Sequence, residues 1–458
     1  MRQHLLLFLA LTTGCSSEDP ASATIVLTAG QETDAFTRDP APQRLVLQAV
    51  STSGATEQML DIAWPTSGFE IGDYNPDQVV AFEAFGRDAT GQDILRGATI
   101  YHALWTLDGA NVPMFMGRLG ELSRPSGVMT STRVDGVAAV VDARFIVCVG
   151  GTDASGSDGS DTDPAAFAAY DLGLWSASPA IETFPRNPKS LAMVLGRYGL
   201  AIDDGGASWF DFATYGAVNA EPPEGLSFSE VAGGDVIYGE DGESYVVGPT
   251  RMTDPSSAVL RIDAEGVLSV VRLPTARVGA AASYVPNRGL VLIGGHASDP
   301  GVLLLQPDAT SFAPLAYPAD AVTGAGAAVL DEDRVLLAGG SDGTTPALTR
   351  LLDLSCTSSC AAAELGDGLA PPGITDAWAR ATGPDEVVVV GPSDEVEPST
   401  RFVRIGGLNT IPSVEPVSLR EPRVGATPIA LFGRSIALVG GRKLDGTGAH
   451  SIEVYIPE

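Results

Sequence analysis

The stretch RVLLAGGSDG, residues 334–343, decides the fold because its pattern returns along the chain. An apolar run ends in two glycines, and an acidic turn follows them. The clearest copies have their glycine pairs at Gly150–Gly151, Gly294–Gly295, Gly339–Gly340 and Gly440–Gly441. Three weaker copies have their first glycine at Gly205, Gly248 and Gly391. The seven units follow one another at spacings of 43 to 55 residues, which indicates a repeat architecture.

A glycine pair after an apolar strand can also cradle a phosphate group. That chemistry requires a helix N-terminus facing the anion, usually with a lysine nearby. Residues 341–350, SDGTTPALTR, contain turn residues followed by a strand pattern, with neither a helical period nor a lysine. We therefore interpret the glycines as part of the fold.

A second landmark keeps the register of the units. Three units have an arginine 17 positions before the first glycine, at Arg133, Arg277 and Arg423. Four units have a glycine two positions after this arginine slot, at Gly233, Gly279, Gly324 and Gly425. Each unit then reads as a strand of small residues, a turn, an apolar strand, and one or two further strands. Four short strands in 40–50 residues predict a β-propeller blade.

The units resemble kelch repeats, in which a glycine pair is followed by a tyrosine and a tryptophan. Tyr170 and Trp175 match that pair in the first unit, and Tyr455 matches the tyrosine in the last unit. The resemblance covers residues 112–458 and implies a seven-bladed kelch-type β-propeller, which we place at 106–458. Because the arginines recur at one repeat position, we expect them to be structural rather than to bind an anionic ligand.

The last unit has only three predicted strands. The segment VPMFMGRL, residues 112–119, precedes the first unit and is expected to supply the missing strand, which would close the ring. Residues 23–105 contain six or seven short strand patterns separated by Gly, Pro, Asp and Ser, and they predict a small immunoglobulin-like β-sandwich. The predicted fold class is therefore all-β, with a sandwich before a propeller.

The N-terminus predicts export. A charged Arg2 precedes an apolar run from Leu5 to Leu11, which is too short to span a bilayer and is typical of a signal peptide. Thr13-Gly14-Cys15 resembles a bacterial lipobox, which implies a signal peptide at 1–14, a lipidated Cys15 and a tether at 15–22. Ser16 resembles the outer-membrane sorting preference. The alternative is an ordinary secretory signal with a chance cysteine.

The whole order of segments is similar to that of uncharacterised exported propeller lipoproteins of myxobacteria. It implies an outer-membrane lipoprotein on the periplasmic or cell-surface side. In such an oxidising compartment Cys356 and Cys360, in SCTSSC, are expected to form a disulfide, and Cys148 is expected to be a buried core residue. The net charge of −30 opposes binding to nucleic acid and to anionic lipid.

Candidate residues for chemistry are few. The loop GGTDASGSDGSDTDP carries Asp153, Asp158, Asp161 and Asp163, which could hold calcium, although such loops are more often solvated. We identify no catalytic constellation and predict no other cofactor. The leading hypothesis is a non-enzymatic, surface-anchored monomer whose propeller loops bind a protein or glycan. The alternative is an exported hydrolase, lyase or oxidase with its active site in the propeller channel.

Overall fold

The computed structural model describes residues 22–65, 68–71, 77–153, 167–178, 184–365, 373–393 and 399–458. Of these described residues, 52% are in strands and 3% are helical, which confirms the all-β prediction. The described helices are single 3-10 turns at Leu104–Thr106, Phe228–Glu230, Gly248–Thr250 and Phe432–Arg434. None of these short helices has the length or the hydropathy to cross a bilayer.

The N-terminal part forms one eight-stranded sheet. Its strands are Ala23–Thr28, Arg44–Ser51, Thr56–Ala63, Gly68–Ile71, Val79–Arg87, Asp93–Ala98, His102–Ala103 and Asn111–Arg118. The first of these strands runs parallel to the last and antiparallel to Gly68–Ile71, so that the sheet curls over on itself. Buried residues from both halves, among them Ile25, Phe82 and Met114, share one core. The predicted small β-sandwich thus corresponds to a half-barrel sheet of sandwich-like form.

The predicted closing strand is wrong in its position. Segment 112–119 lies largely in Asn111–Arg118, which pairs with Ala23–Thr28 and Asp93–Ala98 inside the N-terminal sheet. This strand is apolar on both faces, because Met114 faces the sheet core while Phe115 packs against the propeller core. A strand that is apolar on both faces is compatible with the N-terminal sheet and with the last blade, and in the structure it belongs to the sheet. The N-terminal unit consequently extends beyond residue 105.

The ring is closed a few residues later. Leu122–Ser123 pairs with Glu453–Tyr455, so that Tyr455 lies opposite Leu122 and Val454 opposite Ser123. The last blade is thus completed by a strand from before the first unit, in the manner expected but from a different segment. Closing the ring in this way leaves no exposed sheet edges between the first and the last blade.

The propeller has seven four-stranded antiparallel blades. The first strands, which line the channel, are Val137–Val141, Ser190–Val194, Asp235–Tyr238, Ala281–Val285, Thr323–Val329, Trp378–Ala381 and Thr427–Ala430. The second strands are Phe145–Val149, Tyr198–Asp203, Ser244–Val247, Gly289–Ile293, Arg334–Ser341, Glu386–Pro392 and Ile436–Val439. The third strands are Ala168–Asp171, Gly206–Asp211, Ser256–Ile262, Val302–Leu305, Arg350–Asp353, Thr400–Gly406 and Glu453–Tyr455.

The fourth, outer strands complete the blades. They are Ser176–Ser178, Gly216–Ala220, Leu268–Arg277, Ala313–Pro314, Ala363–Glu364, Ser413–Pro416 and, for blade 7, Leu122–Ser123. Three two-stranded ribbons pair Arg133–Val134 with Thr152–Asp153, His296–Pro300 with Ala319–Asp320, and Arg423–Val424 with Arg442–Lys443. Apolar clusters fill the spaces between neighbouring blades.

The N-terminal sheet packs on blades 7 and 1. Phe115 lies 5.2 Å from Trp175 between ring centroids, and both belong to a cluster with Ile456 and Val439 of blade 7. Glu121, in the connecting segment, bridges the two units because it pairs with Arg38 of the sheet and with Arg420 before blade 7. The propeller is thus held by the sheet at its point of closure.

The stretch from which the repeat was recognised forms the second strand of blade 5 and the turn after it. Gly339 and Gly340 have left-handed φ angles of 74° and 77°. A Cβ on Gly340 would lie 2.6 Å from the carbonyl oxygen of Thr323, which only glycine avoids. Asp342 then accepts hydrogen bonds from the backbone N–H groups of Thr344 and Thr345, each at 2.8 Å, which sets the turn.

Candidate functional site

One end of the propeller carries the glycine pairs, and we call it the glycine face. First strands begin there, second strands end there, and the variable loops between second and third strands lie there. In each of the seven blades, one residue lies two positions after the arginine position, and together these residues surround the channel opening. We call these seven residues the mouth ring. They are Asp135, Ser190, Gly233, Gly279, Gly324, Asp376 and Gly425.

Backbone hydrogen bonds through the mouth ring join neighbouring blades. Gly279 N donates to Arg251 O at 2.6 Å, and Gly324 N donates to Gly279 O at 2.7 Å. Between the last blade and the first, Asp135 N donates to Gly425 O at 3.0 Å. The recurring glycine therefore serves the contact between blades, because a Cβ on Gly324 would lie 2.7 Å from the backbone nitrogen of Asp376.

The other three blades fill the same slot with polar residues. The hydroxyl of Ser190 donates to Gly234 O at 2.8 Å and accepts from Gly233 N at 3.0 Å, so that it links blades 2 and 3. Asp135 and Asp376 adopt left-handed φ angles of 53° and 51°. Aspartate tolerates this conformation better than most residues but less well than glycine, so the two carboxylates are placed in the mouth at some backbone cost.

A third carboxylate, Asp235, begins the first strand of blade 3 and interacts electrostatically with Asp376 of blade 6. Its enclosure in the mouth and the charge of Asp376 raise its pKa to about 6, although Thr250 hydrogen bonds oppose the rise. Burial and the charge of Asp135 likewise raise the pKa of Asp376. Although protein surrounds them at the channel mouth, all three side chains keep access to solvent through the opening, and within the described residues none forms an ion pair. The mouth is therefore a concentration of uncompensated negative charge.

Arg251, whose backbone carbonyl accepts from Gly279 in the mouth ring, forms no ion pair with these acids in the described residues. Its guanidinium donates to the carbonyl oxygens of Ser229 at 2.7 Å and Asp254 at 3.2 Å, which holds it against the loop. Over the part of the chain that the structure describes, no three His, Cys, Asp or Glu side chains are close enough to hold a metal ion. The mouth acids are thus arranged as separate charges rather than as a ligand set.

The predicted calcium loop cannot be placed. Asp158, Asp161 and Asp163 lie outside the described residues, and for Asp153 the structure describes only a backbone pairing with Arg133. Calcium binding by this loop stays a prediction.

The three recurring arginines lie away from the channel surface. Arg133, Arg277 and Arg423 are buried, and each donates to the carbonyl oxygen of the first glycine of its unit, at 2.6, 2.5 and 3.2 Å. Each guanidinium thereby fixes the bend after the second strand from inside the blade. Arg423 also pairs with Glu453 at 2.7 Å, and both side chains are fully buried.

The cysteines and histidines form no common site in the described residues. Cys356 and Cys360 are joined by a disulfide with a Cα–Cα distance of 5.8 Å in the turn between the third and fourth strands of blade 5. Cys148 is buried among apolar residues, which raises its thiol pKa to about 12. His296 begins the ribbon strand His296–Pro300 of blade 4, and His450 lies in the loop before the third strand of blade 7, where its Nδ1 lies 2.9 Å from Met129 O.

The channel wall itself is mostly small and apolar. The seven first strands contain many alanines and valines, and their only charged residues are Asp235 and Arg380. Sequence reasoning missed the mouth acids. A signal was nevertheless present, because Asp135 and Asp376 stand where four other units have glycine.

Comparisons with known proteins identify no family. Neither a family model nor a curated protein matches the chain. Among solved structures, the computationally designed Ika8 protein is 11% identical with a TM-score of 0.40, and the match covers 72% of this chain and 98% of that one. The extracellular domain of a protein described as a one component system from B. thetaiotaomicron is 11% identical with a TM-score of 0.43, over 73% and 40% of the two chains.

Proposed function

We propose that this protein is a surface-anchored, non-enzymatic binding module of the kelch type that presents its glycine face to a protein or glycan partner. The observation that carries this proposal is the group of three exposed, uncompensated acids at the channel mouth. Such a group favours a cationic partner, because each acid gains an opposite charge only when the partner binds.

The architecture around the mouth supports recognition by loops. Between the second and third strands, blade 2 has a two-residue turn at 204–205, whereas blade 7 inserts residues 440–452 at the same place. Loops of unequal length on a rigid ring are the usual sites of specific binding. The curled N-terminal sheet would hold this ring away from the membrane, and a tether at 15–22 would connect both to a lipid on Cys15.

The binding test uses a fluorescently labelled hexalysine peptide and the purified protein, measured by fluorescence anisotropy. We expect the triple substitution Asp135→Asn, Asp235→Asn and Asp376→Asn to weaken binding by about threefold to about 150-fold, since each of the three exposed charge pairs contributes about 0.2–1 kcal/mol. The matched control is Asp108→Asn, an exposed acid of the N-terminal sheet. Equal binding by the wild type and the triple variant would exclude the mouth as the binding site.

The anchor has a separate test. Cells that express the full chain are labelled with radioactive palmitate, and the wild type should incorporate it whereas Cys15→Ala should not. Labelling of both proteins, or of neither, would reject the lipoprotein assignment without affecting the mouth.

An exported enzyme remains the second candidate because of one observation. The raised pKa of Asp235, about 6, is suited to general acid–base chemistry. Turnover of a glycan that is lost on Asp235→Asn but kept on Asp135→Asn would favour this candidate over the binding module.

A further inference from the structure

Strand register gathers four chain segments at one end of the N-terminal sheet. Thr24 pairs with Asn111 in two parallel strands. Strand Val79–Arg87 begins at the same end, because it and the strand that starts at Asn111 both run antiparallel to the strand between them. Val79 pairs in turn with Ala103. We call this end the tip, and it comprises residues 22–24, 51–55, 77–79 and 101–111.

Three large apolar side chains are exposed at the tip. Trp105 is 68% exposed, Val79 is 44% exposed and Tyr101 is 40% exposed. The hydroxyl of Tyr101 donates to the carbonyl oxygen of Ser51 at 3.4 Å, which holds its ring at the surface. Among the large apolar residues described in this sheet, Val26 is the only other one that is exposed. The exposed apolar groups of the sheet are therefore concentrated at the tip.

The composition of the tip favours a partner without net charge. Its segments contain neither lysine nor arginine, and their acids are Asp77 and Asp108. Such a surface gains nothing from the phosphates of nucleic acid or from anionic lipid headgroups. Tryptophan and tyrosine, by contrast, favour the headgroup level of a bilayer, where the ring is among apolar groups and its N–H or O–H stays hydrated.

The chain enters the sheet at the tip. Ser22 is the first residue that the structure describes, and its N–H donates to Asp108 Oδ1 at 3.4 Å while its carbonyl oxygen accepts from Gly109 N at 2.8 Å. Ser22 follows Cys15 by seven positions, and a chain of that length reaches at most about 25 Å. A lipid on Cys15 would therefore hold the start of the tip within this distance of the bilayer.

The tip lies on the side of the propeller opposite the glycine face. Ile100, next to the tip, is so close to blade 1 that a Cβ on Gly173 would lie 3.0 Å from its Cδ1. A Cβ on Gly433 of blade 7 would lie 3.7 Å from the Cβ of Ala98. Both glycines belong to turns at the end of the propeller where first and third strands finish, whereas the glycine pairs lie at the other end. Contact between the tip and a bilayer would thus direct the glycine face away from the membrane.

We propose that the tip rests on the bilayer, with the side chains of Trp105, Tyr101 and Val79 in the interfacial layer of one leaflet. This inference rests on the proposed lipid anchor at Cys15, because the tether brings the tip to the membrane and the tip then supplies a second attachment. A tether alone lets the protein rotate, whereas two attachments fix its orientation. The mouth acids take no part in this contact and stay available to a partner in solution.

The test follows the tryptophan fluorescence of the full chain, expressed with its N-terminus intact, in phosphatidylcholine vesicles that contain lipid brominated near the headgroup. Flotation with the vesicles reports the anchor, and quenching by bromine reports an indole at the interface. Wild type should float and be quenched. Trp105→Phe should float equally but lose about half or more of the quenching, since Trp105 is the indole placed at the interface. The matched control is Trp209→Phe, in the third strand of blade 2, which should keep the wild-type quenching.

The outcomes separate the tip from the anchor. If the wild type does not float, the anchor is rejected and this proposal with it, whereas the mouth keeps its own test with hexalysine. If the wild type floats without quenching, or if Trp105→Phe is quenched as strongly as the wild type, the tip contact is overturned and the anchor stands. A tip that binds a sugar or a protein instead of lipid would give this second result.

Folding of the variant is checked by thermal melting. Trp105→Phe should melt at the wild-type temperature, because the replaced side chain is exposed. If this variant does not fold, the wild type alone decides the matter through quenching by acrylamide, which stays in the water. Vesicles should reduce acrylamide quenching of the wild type, and unchanged quenching would overturn the proposal.

Discussion

The buried pair of Arg423 and Glu453 should be a principal determinant of propeller stability. Glu453 Oε1 accepts from Arg423 at 2.7 Å and from Glu421 N at 3.0 Å, while its Oε2 accepts from Arg420 N at 2.7 Å. In Glu453→Gln an amide NH2 must replace one of these oxygens and face a donor. Arg423 also loses its fully buried counter-charge. Removing one partner of such a pair costs about 3–5 kcal/mol.

The assay is urea denaturation followed by tryptophan fluorescence. The control is Glu415→Gln, which removes a carboxylate that pairs with Arg404 at 2.8 Å but is 54% exposed in its side chain. That exposed pair should contribute about 1 kcal/mol or less. The double substitution Arg423→Met and Glu453→Leu should recover part of the loss, since it leaves no unpaired charge. A loss for Glu453→Gln no larger than for Glu415→Gln would refute this reasoning.

Three further predictions concern the mouth, the repeat and the disulfide. The pKa of Asp235, raised to about 6, means that the folded state holds its proton more tightly than the unfolded chain. The free energy of unfolding of the wild type should therefore fall by about 1 kcal/mol as pH rises from 4 to 7, after screening by channel water. Melting curves of Asp235→Asn should lack this part of the pH dependence. Gly340→Ala should cost about 2 kcal/mol or more because its Cβ would meet a carbonyl oxygen, whereas Gly343→Ala, with open space around it, should cost less in denaturant titrations. Replacing Cys356 and Cys360 by serine should cost about 2 kcal/mol, since the closed loop is short, and a much larger loss would point to a packing role.

The repeat could be predicted from sequence because its signals are local. Gly339 and Gly340 end a second strand in a conformation that only glycine takes easily, and the same need recurs in other blades. The closing strand could not be assigned, because Met114 and Phe115 make their segment apolar on both faces. Only the tertiary arrangement decides whether such a segment joins the sheet or the last blade.

Sites assembled from distant blades were beyond prediction for a different reason. Asp135 and Asp376 are 241 positions apart in the sequence, yet the ring places them in one opening. Glu453 was missed as the partner of Arg423 because the arginine slot recurs, whereas its counter-ion belongs to one blade. Residues that recur in every unit predict the blade architecture. Residues that depart from the repeat indicate features of a single blade.

Asp135 and Asp376 make the folded state less stable than glycine would at the same two positions. Glycine would adopt their left-handed backbone without strain, as it does at the same slot in Gly279 and Gly425. The charge of each aspartate also opposes ionisation of its neighbour, since Asp135 raises the pKa of Asp376, which in turn raises that of Asp235. Positions that break a local rule without a compensating contact in the fold are where function is expected. We therefore expect a cationic partner outside the chain to supply the contact that stabilises these carboxylates.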